Sequence, residues 1–343
     1  LATDRRMVNS DGSGSVVGFD TRYKFNKTYQ VELQTLFSKT QEPTDSLLVS
    51  NETFGDNNTF TFDGESFTGN AIELEFRRET EHWGLEAGYD HKSPAFRADN
   101  GFISNNNQRR VYLQSYWVYT PNKMIRKVVG GFHSGLETNF EGEKKSRYTS
   151  FFGNVVLPRQ TRLNINISVK HFSRFKNVDL ENLWNLSVNI NSHFNKSLAL
   201  GGSFSKGVNT VTFLDVPEKG NSTSFSLWTR LKVSDRIQVG GTYENYQMTT
   251  LDKKEEYYSG YLTGIRMNYQ YNQALSFRLM GQYNDFSQTF QLQPLLSYQP
   301  SPFTIFYIGF TSDKIAENLS IDSIQEGQVQ DRQLFLKFQY LFN

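Results

Sequence analysis

The last eleven residues, 333–343, alternate between apolar and other side chains over the length of one long strand. Every second position is apolar, namely Leu334, Leu336, Phe338, Tyr340 and Phe342. The positions between them include Gln333, Lys337 and Gln339. Because successive side chains of a strand point to opposite faces, the segment has one apolar and one more polar face. Such a strand suits a wall between lipid and water, and it also suits the edge of a soluble sheet.

The same alternation recurs along the chain. Between 163 and 170 every odd position is apolar and every even position polar, and between 184 and 191 the even positions are apolar and the odd positions polar. The full strands predicted from the pattern run roughly ten to thirteen residues, whereas soluble strands average about five or six and a tilted membrane strand needs about 9–11. Their polar faces carry charged and amide side chains, which a closed soluble core buries only at high cost. We therefore predict an all-β fold, an antiparallel transmembrane β-barrel of about 16–18 strands.

Composition agrees with a barrel in the bacterial outer membrane, in contact with its lipid. Aromatic residues reach 15%, mean hydropathy is −0.56, and no apolar run approaches the length of a transmembrane helix. The chain has no cysteine, which excludes a disulfide framework and thiolate metal sites. Its net charge of +1 lacks the basic excess typical of nucleic-acid binders, so no nucleic-acid partner is expected.

The pattern predicts seventeen strands. They lie near 14–25, 28–39, 68–79, 81–91, 109–120, 124–137, 146–157, 160–173, 184–195, 197–208, 222–233, 236–247, 257–271, 273–286, 288–298, 302–313 and 331–343. Short turns, such as Asn26-Lys27, alternate with long connections at 40–67, 92–108, 138–145, 174–183, 209–221, 248–256 and 314–330. In outer-membrane barrels the short turns are periplasmic and the long loops external. A short external turn at 287 is the exception.

An odd strand count conflicts with closure, since bacterial single-chain barrels are normally even and antiparallel. The simplest repair is an upward strand before Leu1, with Leu1-Ala2-Thr3 as its tail and 4–13 as the external loop after it. No signal peptide is present, although a barrel must be exported. We therefore expect 1–343 to be a single barrel domain that forms the C-terminal part of a longer, mature or truncated chain. A split or missed strand, for example around 95–104, is the alternative.

Several short segments resemble a known family. They are Ala2-Thr3-Asp4-Arg5-Arg6, Val17-Gly18-Phe19-Asp20-Thr21-Arg22, the run 90–103 from Asp90 to Ile103, and the closing run 334–342. Together they resemble the C-terminal barrel of an uncharacterised family common in Bacteroidota. Its full-length members carry an N-terminal carbohydrate-binding module of the family-9 type. The resemblance implies a saccharide partner through that absent module and assigns no activity to any residue here.

The polar residues give little support to catalysis or a metal site. None of the five histidines has a zinc-motif spacing, and His133-Ser134 and Asp90-His91 are the adjacent pairs to check for a hydrolase. The oxygen-rich segments Asp56-Asn57-Asn58 and Asp99-Asn100 lack the spaced ligands of an EF-hand loop, and such residues are common in turns. We expect no catalytic residue, cofactor or metal.

Strand parity predicts which charged residues face the lumen. Early strands contribute acids, namely Glu32, Glu73, Glu75, Glu86 and Asp90, and later strands contribute bases, namely Lys170, Arg230, Lys232, Arg266, Arg278 and Lys337. Opposed walls would create a transverse field that sorts polar solutes. Ion pairs that stiffen a filled lumen are the alternative, with loops 40–67 and 92–108 as the filling. The inward aromatics Tyr112, Tyr116, Phe152 and Trp228 suit either a sugar-stacking path or packing against an inward loop.

Outward aromatics cluster near the short turns and predict a periplasmic membrane-interface girdle. They are Phe25, Tyr29, Tyr119, Phe194, Tyr271, Tyr298 and Phe303. Pro294 lies within a strand and lacks a backbone donor, which predicts a bulge or a protected edge.

These observations favour a non-enzymatic barrel that acts as a porin-like channel or as a membrane anchor for an exported N-terminal module. A non-conducting structural or accessory subunit, bound to other outer-membrane or periplasmic proteins, is the first alternative. A barrel hydrolase of the lipase or protease type is the second, and it requires catalytic side chains that converge at the external rim.

Overall fold

The computed structural model describes residues 1–343 except 9, 56, 102, 104, 122–123, 316–328 and 343. Twenty strands are assigned among the described residues. They are β1 Ala2–Arg6, β2 Ser13–Phe25, β3 Tyr29–Gln41, β4 Thr53–Phe54, β5 Asn58–Thr59, β6 Ser66–Glu79, β7 Trp83–Lys92, β8 Gln108–Tyr119, β9 Lys127–Thr138, β10 Lys144–Val156, β11 Arg162–Phe175, β12 Val178–His193, β13 Leu198–Val211, β14 Glu218–Lys232, β15 Ile237–Thr250, β16 Glu256–Gln270, β17 Leu275–Asn284, β18 Thr289–Ser301, β19 Thr304–Ile315 and β20 Val329–Tyr340.

Eighteen of these strands form one antiparallel sheet in which each strand pairs with the next along the chain. The short strands β4 and β5 form a separate hairpin within the β3–β6 connection. Strand order and direction confirm the predicted antiparallel barrel fold. Within the described residues no pairing joins the end strands β1 and β20. The described part of the chain also contains no helix long and apolar enough to cross a membrane.

All seventeen predicted strands are present, and β1 is the eighteenth. Residues 2–6 pair with β2, from Ala2 opposite Val17 to Arg6 opposite Ser13. The expected external loop at 4–13 is therefore wrong in its first half, because the ladder continues through Arg6. The even count makes β1 and β20 antiparallel to each other, as a barrel requires. Whether further sequence precedes Leu1 stays a prediction.

The predicted short turn at Asn26-Lys27 is confirmed, since β2 ends at Phe25 and β3 begins at Tyr29. Four of the predicted long connections are present but shorter than expected, and the one at 314–330 lies mostly outside the described residues. The connections at 138–145, 174–183, 209–221 and 248–256 are hairpins whose strands continue outward past the expected ends. At the β11–β12 corner, Phe175 pairs with Val178, so the loop is only Lys176 and Asn177. Both have positive φ, 48° and 61°, as in the primed turns that join twisted strands. Most of the expected loop at 174–183 is therefore paired between β11 and β12 instead.

Pro294 causes neither a bulge nor an edge. It lies in the interior strand β18, where it pairs with Leu279 of β17. Toward β19 the ladder pairs Leu292 with Ser312 and Leu295 with Gly309, in constant register, and omits the two positions between them. The missing donor thus interrupts one ladder locally without a shift, and the predicted bulge is wrong.

Candidate functional site: the polar face of the barrel

Cross-strand register places all eleven predicted lumen residues on one face of the sheet, which we call the polar face. Glu32 lies opposite Glu75, for example, and Gly240 pairs with both Arg230 and Arg266. Residues directly opposite in an antiparallel pair share a face, so the assignment passes from strand to strand. It establishes the orientation of these side chains, and their role in a pore stays a prediction.

The carboxylates of the early strands are held by neighbouring cations. Arg77 contacts both Glu75 and Glu86, the latter at 3.4 Å between Nε and Oε2. The Nε atom of Arg22 lies 2.8 Å from Glu32 Oε1. These contacts form two neighbouring ion-pair groups, one between β2 and β3 and one on β6 and β7, which compensate much of the negative charge.

Asp90 forms a second ion-paired centre on the same wall. Its carboxylate lies 3.2 Å from Lys92 Nζ and 3.0 Å from an Arg110 Nη atom, and it also accepts a hydrogen bond from Gln108. The Asp90 side chain is only 8% exposed. Because the Asp90 carboxylate is buried and is held by two cations and an amide donor, we assign it a structural role in the wall.

The bases of the later strands have a different environment. Arg230 and Arg266 line an open cavity of about 530 Å³ together with Trp228 and three glutamines, Gln282, Gln291 and Gln293. Arg266 also lines an adjoining cavity of about 440 Å³. The other bases around that second cavity are Lys232, Arg236 and Arg278. Four of the predicted lumen bases are therefore brought together, whereas Lys170 lies on β11 and Lys337 on β20, away from both cavities.

Three arginines of this cluster have no carboxylate partner. Within the described residues, no ion pair involves Arg230, Arg266 or Arg278, whereas Lys232 is paired with Asp235. The Nε–H of Arg278 is buried and has no hydrogen-bond partner among the described atoms. We call Arg230, Arg266 and Arg278 the arginine cluster. Asp235 also lines the second cavity but is paired with Lys232, so among the described residues no carboxylate lies within ion-pair distance of these three arginines, unlike the acids on the early strands.

The inward aromatic rings cover glycines of the neighbouring strand. A Cβ atom built on Gly88 would lie 2.3 Å from Tyr112 Cζ, and one built on Gly84 would lie 2.3 Å from Tyr116 Cζ. Phe152 lies in the same way against Gly131, and Trp228 against Gly201. All four predicted lumen aromatics therefore pack on the barrel wall over a glycine backbone, and neither an inward loop nor a free stacking surface is needed to place them.

Two loops at the external end fold over the polar face of β2, β3 and β6. We call residues 42–65 and 93–107 the mouth loops. In the second loop Phe96 is 3% exposed and lies where a side chain on Gly69 would point. Arg97 donates its backbone N–H to Ser38 Oγ at 3.2 Å, and its guanidinium stacks over Phe67 with 4.6 Å to the ring centroid. The expected inward loops thus cover one side of the mouth.

The opposite face of the sheet is apolar and carries the predicted girdle. Phe25 and Tyr29 stack with centroids 5.2 Å apart, and Arg78 lies over Tyr29 at 5.7 Å. At another short turn Arg159 lies 4.5 Å from the Phe194 ring. The remaining predicted members lie at or near strand ends beside short turns and are strongly exposed, namely Tyr119, Tyr271, Tyr298 and Phe303. Exposed aromatics with adjacent arginines suit a headgroup-level belt, which stays a prediction.

If the apolar face contacts lipid, an arginine substitution there should destabilise the folded barrel more than one on the polar face. Ile167 is on the apolar face at mid-strand and is 45% exposed, whereas Asn166 beside it faces the lumen side. Ile167→Arg is expected to destabilise the folded barrel by about 2–4 kcal/mol, the usual effect of arginine at the bilayer midplane. Asn166→Arg is expected to change it much less. Urea unfolding in lipid vesicles measures both, and equal losses would contradict the assignment of faces.

The two adjacent pairs considered for hydrolysis do not form dyads. His133 lies on the polar face and contacts the Tyr148 hydroxyl at 3.2 Å, whereas Ser134 lies on the other face and donates to the Tyr148 carbonyl. Asp90 and His91 are likewise on opposite faces, and His91 Nε2 contacts Asn70 Oδ1 at 2.6 Å. Neighbours in a strand point apart, so each predicted pair is separated by the sheet itself.

The structure contains one cluster of carboxylates, and it lies outside the oxygen-rich segments Asp56-Asn57-Asn58 and Asp99-Asn100 among the described residues. Asp99 packs against Gly14, and Asp56 lies outside the described residues. Instead, Glu42, Asp63 and Glu65 bring one carboxylate oxygen each within 4.8 Å of one another. Sequence reasoning missed this group because Glu42 is more than twenty residues from its partners and no motif links them. The only local signal is Asp63-Gly64-Glu65.

Comparison with known proteins shows the class of fold. No protein-family model and no curated protein matches the sequence. A mutant of the ferric enterobactin receptor PfeA from Pseudomonas aeruginosa matches 95% of the chain with a TM-score of 0.51 at 9% identity. The siderophore receptor PirA from Acinetobacter baumannii matches 97% with a TM-score of 0.51 at 11% identity.

The chain spans less than two thirds of these receptors, 61% of the first and 65% of the second. At this identity the likeness concerns the fold alone, and the ligands named for those receptors are properties of those proteins. The fold is that of outer-membrane β-barrels. The apolar outer face of this chain suits that membrane.

Proposed function

We propose that the chain forms an outer-membrane channel for small polar solutes, with a preference for anions. The observation that carries the proposal is the arginine cluster, which lines two adjoining open cavities and has no carboxylate partner in the described structure. The acids of the early strands, by contrast, are largely ion-paired. An unbalanced cation set on a pore wall raises the local concentration of anions.

Strand order supports the same proposal. β15 lies nine strands beyond β6 in the eighteen-strand sheet, so the basic and acidic walls face each other once the sheet is closed. A barrel of this size is wide enough for an aqueous channel unless loops fill it. The mouth loops contact the side formed by β2, β3 and β6, and the arginine cluster lies on the other side.

The first measurement is ion selectivity in planar bilayers. Purified folded protein, reconstituted in a potassium chloride gradient, is expected to give steady conductance with a reversal potential on the anion-selective side. The preference should weaken as salt rises, because the Debye length falls from about 10 Å at 0.1 M to about 3 Å at 1 M. Cation selectivity would contradict the anion preference.

The second candidate function is a non-conducting membrane anchor or accessory subunit, which the packed mouth loops favour. Phe54, Phe67 and Arg97 join the two loops into one cluster at the external end. Electrical silence from protein shown to be folded would favour this candidate over the channel. A search for co-purifying outer-membrane or periplasmic proteins would then follow.

A further inference from the structure

The acidic cluster at the external mouth contains a buried carboxylate with an unused oxygen. The Glu42 side chain is 1% exposed, and its Oε1 lies 2.6 Å from an Arg97 Nη atom. Its Oε2 is buried and has no hydrogen-bond partner among the described residues. A buried carboxylate oxygen without a partner is costly, so a proton, a water molecule or a cation is expected to satisfy it.

Two further carboxylates converge on Glu42. Oxygens of Asp63 and Glu65 lie within 4.8 Å of each other and of a Glu42 oxygen. The base of the first mouth loop holds them there, because Glu42 N–H donates to the Glu65 carbonyl at 2.9 Å and Asp45 N–H donates to the Phe62 carbonyl at 2.7 Å. Gly64 between the two acids has φ of +88°, a conformation that other residues adopt only with strain.

We propose that Glu42, Asp63 and Glu65 form a calcium site at the external mouth. Two ligands at about 2.4 Å from one ion can be at most about 4.8 Å apart, so these oxygens are close enough to one another to share one ion. The donor set consists of carboxylates without histidine or cysteine, which favours a hard cation over zinc. Calcium accepts irregular geometry and added water, whereas magnesium demands near-ideal octahedral coordination.

The local charge agrees with a divalent ion. Three carboxylates and the guanidinium of Arg97 leave two negative charges, which one calcium ion balances. Asp63 is exposed and Glu65 half-buried, so solvent can reach the site and supply the remaining ligands. The bound ion would link the first mouth loop to the Glu42–Arg97 pair and thereby to the second mouth loop.

Proton competition gives the site a pH dependence of known sign. Burial is the main cause that raises the pKa of the Glu42 carboxyl above its ordinary value, and the nearby Glu65 and Asp63 carboxylates act in the same direction, whereas Arg97 opposes them. Calcium requires the ionised carboxylate, so affinity is expected to fall as the pH drops through the raised pKa of Glu42. Binding should therefore release protons at any pH at which the Glu42 carboxyl is partly protonated in the free protein.

Calorimetric titration of the folded protein in detergent with calcium chloride tests the proposal. We expect one calcium ion per chain, and Asp63→Asn is expected to weaken binding by at least about tenfold, as loss of a metal-site residue commonly does. Asp45→Asn is the matched control in the same loop, since Asp45 is outside the cluster. The calcium affinity of this variant should stay within about twofold of the wild-type affinity. Because Asp63 is exposed, this variant avoids the folding risk of a change at Glu42.

Limited chymotrypsin digestion gives an independent readout. Leu47 and Phe60 in the first mouth loop are 89% and 46% exposed, and calcium is expected to slow cleavage there in the wild type and in Asp45→Asn but not in Asp63→Asn. Absence of binding by folded wild-type protein near neutral pH would overturn the proposal and leave the Glu42 oxygen to a proton or a water molecule. Equal affinity of the two variants would also overturn it. Neither result bears on whether the pore conducts.

Discussion

Arg266→Glu is expected to reduce or reverse the anion preference of the channel. Arg266 lines both cavities of the arginine cluster, so the substitution changes the charge by two units where the cavities meet. A unit charge at about 4 Å contributes about 1 kcal/mol in water, so a change of two units should alter the local anion concentration by about thirtyfold at that distance and by less farther away. The reversal potential in a low-salt gradient measures the effect.

Lys170→Glu is the matched control for that experiment. It makes the same change of charge on the same face but on β11, outside both cavities. Its reversal potential should move less than that of Arg266→Glu. Equal shifts for the two variants would show that the channel senses total lumen charge, and the role assigned to the arginine cluster would be wrong.

Gly88→Val is expected to destabilise the barrel wall strongly. The ring of Tyr112 occupies the space where the new side chain would stand, with 2.3 Å between a Cβ and Tyr112 Cζ. The ring must move, and its hydroxyl then loses the 3.3 Å hydrogen bond to Glu75 Oε2. Overpacking of this kind costs about 1–3 kcal/mol. Urea unfolding and the heat-dependent gel shift of the folded form report the loss.

Gly153→Val is the control, because a Cβ there meets no atom within 4 Å and the position lies on the apolar face. It should be neutral or slightly stabilising, since valine suits an exposed strand position in lipid. Tyr112→Ala combined with Gly88→Val should recover part of the loss of the single valine variant. If the two glycine variants lose equal stability, strand flexibility rather than ring packing explains the glycines.

The external half of the barrel differs most from expectation. Between 174 and 183 the polar and apolar residues do not alternate regularly, so the segment was expected to be a loop, yet Val178–His193 is one strand. Asn182, within that strand, has φ of 57° and breaks the alternation locally. Backbone hydrogen bonding to β11 maintains the strand, and such pairing depends on the neighbouring strand rather than on the local pattern.

Period-two alternation by itself determined the class of fold, the approximate position of the long strands and the shared face of the eleven charged residues named from sequence. A shift of the strand pairing by one residue would move every side chain of that strand to the opposite face of the sheet, so the pattern also restricts the register. Residue order along one strand is therefore enough to place Glu75 or Arg266 on the polar face. The same reasoning separates His133 from Ser134, since adjacent residues of a strand cannot share a face.

Only the tertiary structure decided which of these residues meet. Arg77 neutralises Glu75 and Glu86 through contacts across two strands, whereas Arg266 has no such neighbour in the described structure. Glu42 reaches Asp63 only because the intervening loop closes on itself. The physical reason is that ion pairing and metal coordination depend on distances of a few ångströms between segments far apart in the chain, and no period in the sequence records those distances.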